Sequence, residues 1–266
     1  MSITPVSRDD TPGTSLAPML TNEQRAEQLR VMRWLRSEVP RFQMEYDFAI
    51  KEVLTKVTIL QEEFMHLHQY NPIEHITSRV KEPDSLLEKI VRKQVRGDFA
   101  EIRRKITDIA GVRITCAFIP DSYTVLDALV KQDDVVTLKI KDYIKHPKPN
   151  GYRSLHAIIQ IPIFMSTGKV DVPVEVQIRT VAMDFWASLE HKIFYKYDGN
   201  VPDHVAGDLA RAAAMAWELD VKMDALHTEV RGGDEEDLLT DTTNQDLLRR
   251  AWDLFRPTFD TLPTDD

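Results

Sequence analysis

Cysteine is nearly absent. Cys116 is the one thiol in 266 residues, so no intramolecular disulfide can staple the chain and the fold must rest on its core. It lies in the apolar run 112–118 and reads as a small core residue rather than a reactive thiol. That usage fits a reducing, cytoplasmic setting. No apolar run approaches the roughly 20 residues that span a bilayer, and the N-terminus has no signal-like apolar stretch, so membrane partners are not expected. Glycine is sparse too: none of the nine falls in a Gly-x-x-x-x-Gly-Lys-Ser/Thr pattern, which excludes a P-loop. The eight histidines show no His-Glu-x-x-His or other ligand spacing, so no zinc site is expected.

What is present is ample apolar material and an uneven charge. At 42% hydrophobic residues the chain can pack a core. Its net charge of −9 argues against a general DNA or RNA binder, although RNA is left open. Locally the sign reverses: residues 79–113 hold ten Lys/Arg against six Asp/Glu, and 139–156 hold five against one. A basic pocket in an acidic protein points to a small polyanion as ligand.

The pattern of periods predicts an α+β fold, a mixed sheet of about five strands flanked by helices, with extra helices at both ends. Residues 1–20, rich in Ser, Thr, Pro and Asp, are expected not to fold. A helix capped at Thr21 or Asn22 runs to Arg36, and Pro40 opens a second to about Tyr70. In the second, Phe42, Tyr46, Ile50, Val53, Val57 and Leu60 recur at spacings of three and four, a stripe for core packing or for an oligomer contact. Strands are expected at 76–81, 112–118, 135–140, 155–163 and 172–178, with a helix from Pro83 to about 95, another helical piece before Asp108, and a further helix capped by Asp121. Helices follow at 181–197 and from Asp203 to about 230, the latter with an apolar face from Val205 to Leu226. An acidic Gly-Gly linker, a helix at about 243–255 and a tail at 257–266 close the chain. The organisation is thus N-terminal helices over 21–72, a mixed-sheet domain over 73–200 and C-terminal helices over 201–256.

Four stretches carry chemistry. In Lys148-Pro-Asn-Gly151-Tyr152-Arg153-Ser-Leu-His156, Gly151 allows a tight turn, Tyr152 offers a ring for a base, and Lys148, Arg153 and His156 can face phosphate oxygens. The alternative is a basic hairpin loop with a structural tyrosine. Upstream, Ser85, Lys89 and Arg92 share one helical face, with Arg79 and Lys81 on the preceding strand; this set can hold a triphosphate, or it is a solvated face paired with Glu82, Asp84 and Glu88. Asp108 precedes an apolar strand that contains Arg113, where it either serves the site or caps the turn before Gly111. In Glu175-Val-Gln177-Ile-Arg179-Thr, Glu175 and Gln177 face one side while Val174, Val176 and Ile178 face the core; Glu175 either reaches the pocket or pairs with Arg179. Crowded phosphates require a divalent cation, for which Asp108 and Glu175 are the candidate ligands, and Mg²⁺ the candidate ion.

Together, in this order, these stretches resemble the synthetase domain of the RelA/SpoT family over roughly residues 76–197, and the short chain resembles the small alarmone synthetases. The Phe185-Trp186-Ala-Ser-Leu-Glu190-His191-Lys192 segment is family-like as well. The resemblance implies a synthetase that moves the β,γ-pyrophosphate of ATP to the 3′-hydroxyl of GTP or GDP, with GMP left open as an acceptor, makes (p)ppGpp and releases AMP. It implies Arg79 and Arg113 at adenine, Lys81, Ser85, Lys89 and Arg92 at the ATP phosphates, and Lys141, Lys148, Tyr152, His156, Gln177 and Asp184 at the guanine nucleotide. Glu175 and Asp108 are implied as the catalytic carboxylates, with Glu175 taking the 3′-hydroxyl proton. Asp184 would accept from guanine N1–H and the exocyclic amine, a pairing adenine cannot make, while a helix-start acid favoured by the macrodipole is the other reading. Homotetramers are implied, and with no His-Asp dyad in the chain the hydrolase half of the long relatives is not expected. The competing function is a non-catalytic nucleotide or RNA sensor that keeps the pocket.

Overall fold

A computed structural model describes residues 22–68, 70–95, 98–197 and 201–240. The expected terminal tails and the helix at 243–255 lie outside the described residues. The chain divides into two compact units, Met1–Met44 and Glu45–Asp266. In the first, the described residues belong to helix α1, where Arg30 pairs with Glu27 at 2.6 Å, an exposed i,i+3 contact of a few tenths of a kcal/mol.

Helix α1 spans Asn22–His68 with Pro40 inside it, so the two helices expected here are one. A proline removes one ladder hydrogen bond and crowds the preceding turn, at about 3 kcal/mol. The stripe that follows, with Tyr46, Ala49, Ile50, Val53, Val57 and Leu60 all buried, supplies more than that. The stripe is therefore core of the second unit. Gln61 donates to the Ile73 carbonyl at 3.2 Å and Lys56 reaches Asp134 at 2.7 Å, fixing this part of α1 over the sheet.

The order is β1 (Ile73–Val80), α2 (Pro83–Arg92), α3 (Phe99–Lys105), β2 (Ala110–Cys116), α4 (Ile119–Val130), β3 (Val136–Asp142), β4 (Leu155–Met165), β5 (Gly168–Thr180), α5 (Val181–Lys196) and α6 (Asp203–Thr240). One five-stranded sheet runs β1-β2-β5-β4-β3, with β2 parallel to β5 and every other pair antiparallel. This is the mixed α+β sheet read from the sequence. Val172, Val174, Val176 and Ile178 of β5 are fully buried beside Ala157, Ile159 and Ile161 of β4. Their alternates therefore form the opposite, polar face.

Two local readings differ. Asp121 is not the N-cap of α4: Phe118 is, and Asp121 sits at N3, accepting from the Phe118 N–H at 3.1 Å. Pro120, in the first turn, favours a helix start three residues earlier than an Asp121 cap would set it. The Gly232–Gly233 pair is no linker, because α6 continues through it; two glycines at about 1 kcal/mol each are outweighed by the helix formers Glu235, Glu236, Leu238 and Leu239.

Helix α6 closes on α5 and the end of β5. Trp186 Nε1 donates to the Leu209 carbonyl at 2.9 Å, and Thr180 Oγ1 donates to Asp220 Oδ2 at 2.7 Å. Burial pushes the Asp220 carboxyl up to about 6, against the Thr180 hydrogen bond and the Arg153 charge. A folded pKa above the unfolded value means that the native state binds the proton more tightly. The group's contribution is thus fully present below about pH 4 and lost as pH rises through about 6. Asp220→Asn is expected to gain on wild type across that window by on the order of 1 kcal/mol after solvent screening, a few degrees of melting temperature. A wild-type-to-variant gap that stays constant between pH 4 and pH 7 would refute this.

Candidate active site

The polar face of the sheet carries two cross-strand rows. Arg79, Gly111, Glu175 and Ile158 align in one; Thr77, Arg113, Gln177, His156 and Lys141 align in the other. Strand alternation alone brings Arg79, Arg113, Glu175, Gln177 and His156 to one side, from four separate stretches of chain. Above the first row lies a cleft of about 250 Å³, lined among others by Arg79, Asp108, Arg113, Glu175 and Gln177.

Asp108 ends the loop before β2, and Glu175 lies on the strand parallel to it, so both carboxylates look into the same cleft. Lys89 from α2 hydrogen-bonds Asp108 Oδ2, and Lys81 stands 3.3 Å from the same oxygen. Burial alone would raise the Asp108 pKa, but the two ammonium groups outweigh it and hold the carboxyl below its usual range. Glu175 behaves alike: burial raises its pKa, while the hydrogen bond and charge of His156 and the bond from Gln177 bring it below normal. Both acids are ionised at neutral pH.

A second group adjoins the cleft. Gln177 Nε2 donates to Glu175 Oε2 at 3.0 Å, and His156 Nδ1 lies 3.3 Å from Glu175 Oε1. Tyr152 Oη is 2.6 Å from His156 Nε2. The Tyr152 ring is 9% exposed, because the Lys148 ammonium lies 4.3 Å over it and Trp186 and Ala213 pack beside it. Lys148 also lies 5.0 Å from the Tyr143 ring centre and Lys141 5.9 Å. A base can reach the Tyr152 face only where the exposed Lys148 chain swings aside. Asp184, on the first turn of α5, holds Arg113 and Arg179 on its Oδ1, each at 3.0 Å.

The structure thus brings twelve of the fifteen sequence-derived site residues into contact with one another or with the cleft. Ser85 and Arg92 stand exposed on α2 and do not line the cleft. Arg153 points elsewhere: it donates to the Ile144 carbonyl and stacks 3.9 Å over Trp217. Missed by sequence reasoning as site members were Arg179 and Tyr143. Arg179 had a signal, since it sits two residues past Gln177 on the same strand face; Tyr143 had none beyond its place in the basic hairpin.

Two ionised carboxylates, an arc of cations and an aromatic ring covered by a mobile-ended lysine side chain suit a site for phosphorylated nucleotides. The family profile described as "Region found in RelA / SpoT proteins" matches residues 78–200. The chain is 48% identical to GTP pyrophosphokinase YwaC of Bacillus subtilis over 185 residues, 70% of this chain and 88% of that protein. Among solved structures it is similar to small alarmone synthetase 2 from Bacillus subtilis, at TM-score 0.67 and 44% identity, covering 73% of this chain and 100% of that one. Small alarmone synthetase 1 from the same organism, bound to its product pppGpp, matches at TM-score 0.67 and 38% identity over 73% of this chain and 98% of that one. The chain belongs to the RelA/SpoT family.

Proposed function

We propose that the chain is a GTP pyrophosphokinase that transfers the β,γ-pyrophosphate of ATP to the 3′-hydroxyl of GTP or GDP, forming (p)ppGpp and AMP. The observation that carries this is the meeting of Asp108, from the loop before β2, and Glu175, from the parallel strand β5, in one cation-lined cleft. A sensor without chemistry would have no use for two ionised acids facing a polyphosphate. Arg79 and Arg113 flank the cleft for the adenine end, while Lys81 and, from α2, Lys89 stand beside Asp108 to meet the ATP phosphates. Lys141, Lys148, Tyr152, His156, Gln177 and Asp184 receive the guanine nucleotide.

In the reaction the acceptor's 3′-oxygen forms a bond to the β-phosphorus, the bridging α–β P–O bond breaks, and AMP leaves. The hydroxyl proton passes to Glu175. A carboxylate of lowered pKa is a weak base, but phosphoryl-type transfer passes through a loose transition state in which little proton removal is needed early. Orientation of the hydroxyl and surrounding positive charge therefore dominate. The hard oxygens of Asp108 and Glu175 fit Mg²⁺, and the lysines on Asp108 already mark that spot as one that attracts a cation. When bound there, the ion would neutralise phosphate charge. The lone buried thiol suits a cytoplasmic enzyme.

Supplying the full-length protein with Mg²⁺, γ-labelled ATP and, in turn, GTP, GDP or GMP tests the reading. Label should appear in a guanine nucleotide resistant to periodate, with unlabelled AMP formed in equal amount. Label released as phosphate alongside ADP would reject it.

Self-association belongs to the same proposal. Between α5 and α6 lies an apolar groove of about 1000 Å³, where Phe185 is 66% and Met215 70% exposed beside Leu189, Leu219 and Met223. Large apolar side chains left exposed side by side mark a contact surface, and we assign it to contacts between copies in a homotetramer. Light scattering at micromolar concentration should give a multiple of 30.7 kDa, and Phe185→Glu with Met215→Glu should lower it. A monomeric wild type rules this out.

A further inference from the structure

Among the described residues, the group most deeply placed in the site and not assigned any part in the reaction is Arg179. It is 4% exposed, and its guanidinium makes three side-chain contacts at once. Nη2 donates to Tyr152 Oη at 2.7 Å and to Gln177 Oε1 at 2.9 Å, while Nη1 donates to Asp184 Oδ1 at 3.0 Å. Its buried Nε has no partner. A cation set this deep with an unsatisfied donor is poorly explained by packing.

The consequence lies in the direction of the hydrogen bonds. Arginine carries donors and no acceptor, so whatever it touches must accept. Gln177 then presents its oxygen to Arg179 and its amide N–H to Glu175 Oε2, the 3.0 Å contact already described. Tyr152, having accepted from Arg179, has its hydroxyl proton to give to His156 Nε2 at 2.6 Å. A neutral imidazole that accepts at Nε2 carries its proton on Nδ1, which faces Glu175 Oε1 at 3.3 Å. Two branches leave one guanidinium and close on the two oxygens of one carboxylate.

We propose that Arg179 is a positioning residue for pyrophosphate transfer: it polarises the Gln177 branch and the Tyr152–His156 branch so that both deliver donors to Glu175, fixing the carboxylate's rotation and holding His156 as the Nδ1–H tautomer. This rests on the reading of Glu175 as the group that receives the 3′-hydroxyl. Asp184 anchors the other side of the guanidinium and shares Arg113 with it, which ties the same fork to the acceptor end of the site. Lysine cannot replace it, because one ammonium lacks the planar fork that meets three acceptors in fixed directions.

The test is ¹⁵N NMR of histidine-labelled full-length protein at a pH where the imidazole is neutral, with the His156 signals assigned by their loss in His156→Gln. Wild type should show protonated Nδ1 and bare Nε2. Arg179→Lys should release the preference and lower kcat by about 30-fold or more while the KM for ATP stays within about threefold, since Lys81 and Lys89 lie away from Arg179 and Arg113 keeps its own contact with Asp184. Tyr152→Phe, which removes one oxygen and leaves the packing, should release the tautomer too, and serves if Arg179 variants do not fold. A wild-type Nε2–H tautomer overturns the proposal whatever the variants do. So does an Arg179→Lys enzyme with unchanged tautomer and kcat. The NMR arm does not depend on turnover, so a wild type that shows the Nδ1–H tautomer but makes no (p)ppGpp would indict the reaction assigned to the cleft and leave the hydrogen-bond relay standing.

Discussion

Glu175→Ala and Asp108→Ala are each expected to lower turnover by at least about a thousandfold, some 4 kcal/mol of transition-state stabilisation, with the fold intact. Glu175 is the point on which the Gln177 and His156 donors converge, and its neighbours on β5, Val174 and Val176, are the ones that fill the core. Removing its carboxylate strands two donors at the edge of a cleft, at about 1 kcal/mol each, and opens no apolar cavity. Asp108 differs. Its loss leaves Lys81 and Lys89 facing one another without a counter-ion, so Asp108→Ala should bind polyphosphate while failing to turn it over. The measurement is the initial rate of AMP formation at saturating ATP, GDP and Mg²⁺, beside a thermal melt. A variant within about tenfold of wild type with an unchanged melt would remove that residue from the catalytic assignment.

Much of this site was legible because strands have a period of two. Once Val174, Val176 and Ile178 are read as core, Glu175 and Gln177 must share the opposite face, and the registers of β2 and β4 add Arg113 and His156 to it. The helical period served Lys89 similarly, and the structure brings it to Asp108. What the pattern could not convey was partner choice. Glu175 takes His156 and Gln177 rather than Arg179, because Arg179 lies a further step along β5, where Tyr152 and Asp184 from other elements reach it. Pairings of that kind depend on how far a loop and a helix close over the sheet, and no single-strand pattern encodes it. The same limit explains Arg153, whose spacing from Gly151 suggested a phosphate contact but whose backbone position turns it to Trp217. Pro40 was misleading for another reason. Its local preference for ending a helix is real, yet the buried stripe that follows outweighs it.

Gly151→Ala is expected to lower the melting temperature by about 6–12 °C, corresponding to about 3 kcal/mol for a chain of this size. Two separate effects combine at this position. Gly151 has φ +85°, a left-handed conformation that a side chain occupies at about 1–2 kcal/mol. An added Cβ would also stand 2.5 Å from the Ala213 Cβ on α6, and neither atom can rotate away, so the loop and the helix must separate. Ala213 packs with Tyr152, Trp186 and Ala187, so the separation moves Tyr152, the proposed seat of the acceptor base. The KM for GDP should therefore rise along with the loss of stability, while the KM for ATP should change little. Ala213→Gly removes the opposing methyl group at about 1 kcal/mol of helix propensity. If the contact is real, the double variant should be more stable than the sum of the single losses by about 1–2 kcal/mol, the strain in φ alone remaining. Strict additivity would mean that no close approach exists between this turn and α6, and a Gly151→Ala protein that melts within about 2 °C of wild type would mean that the turn accepts a side chain after all.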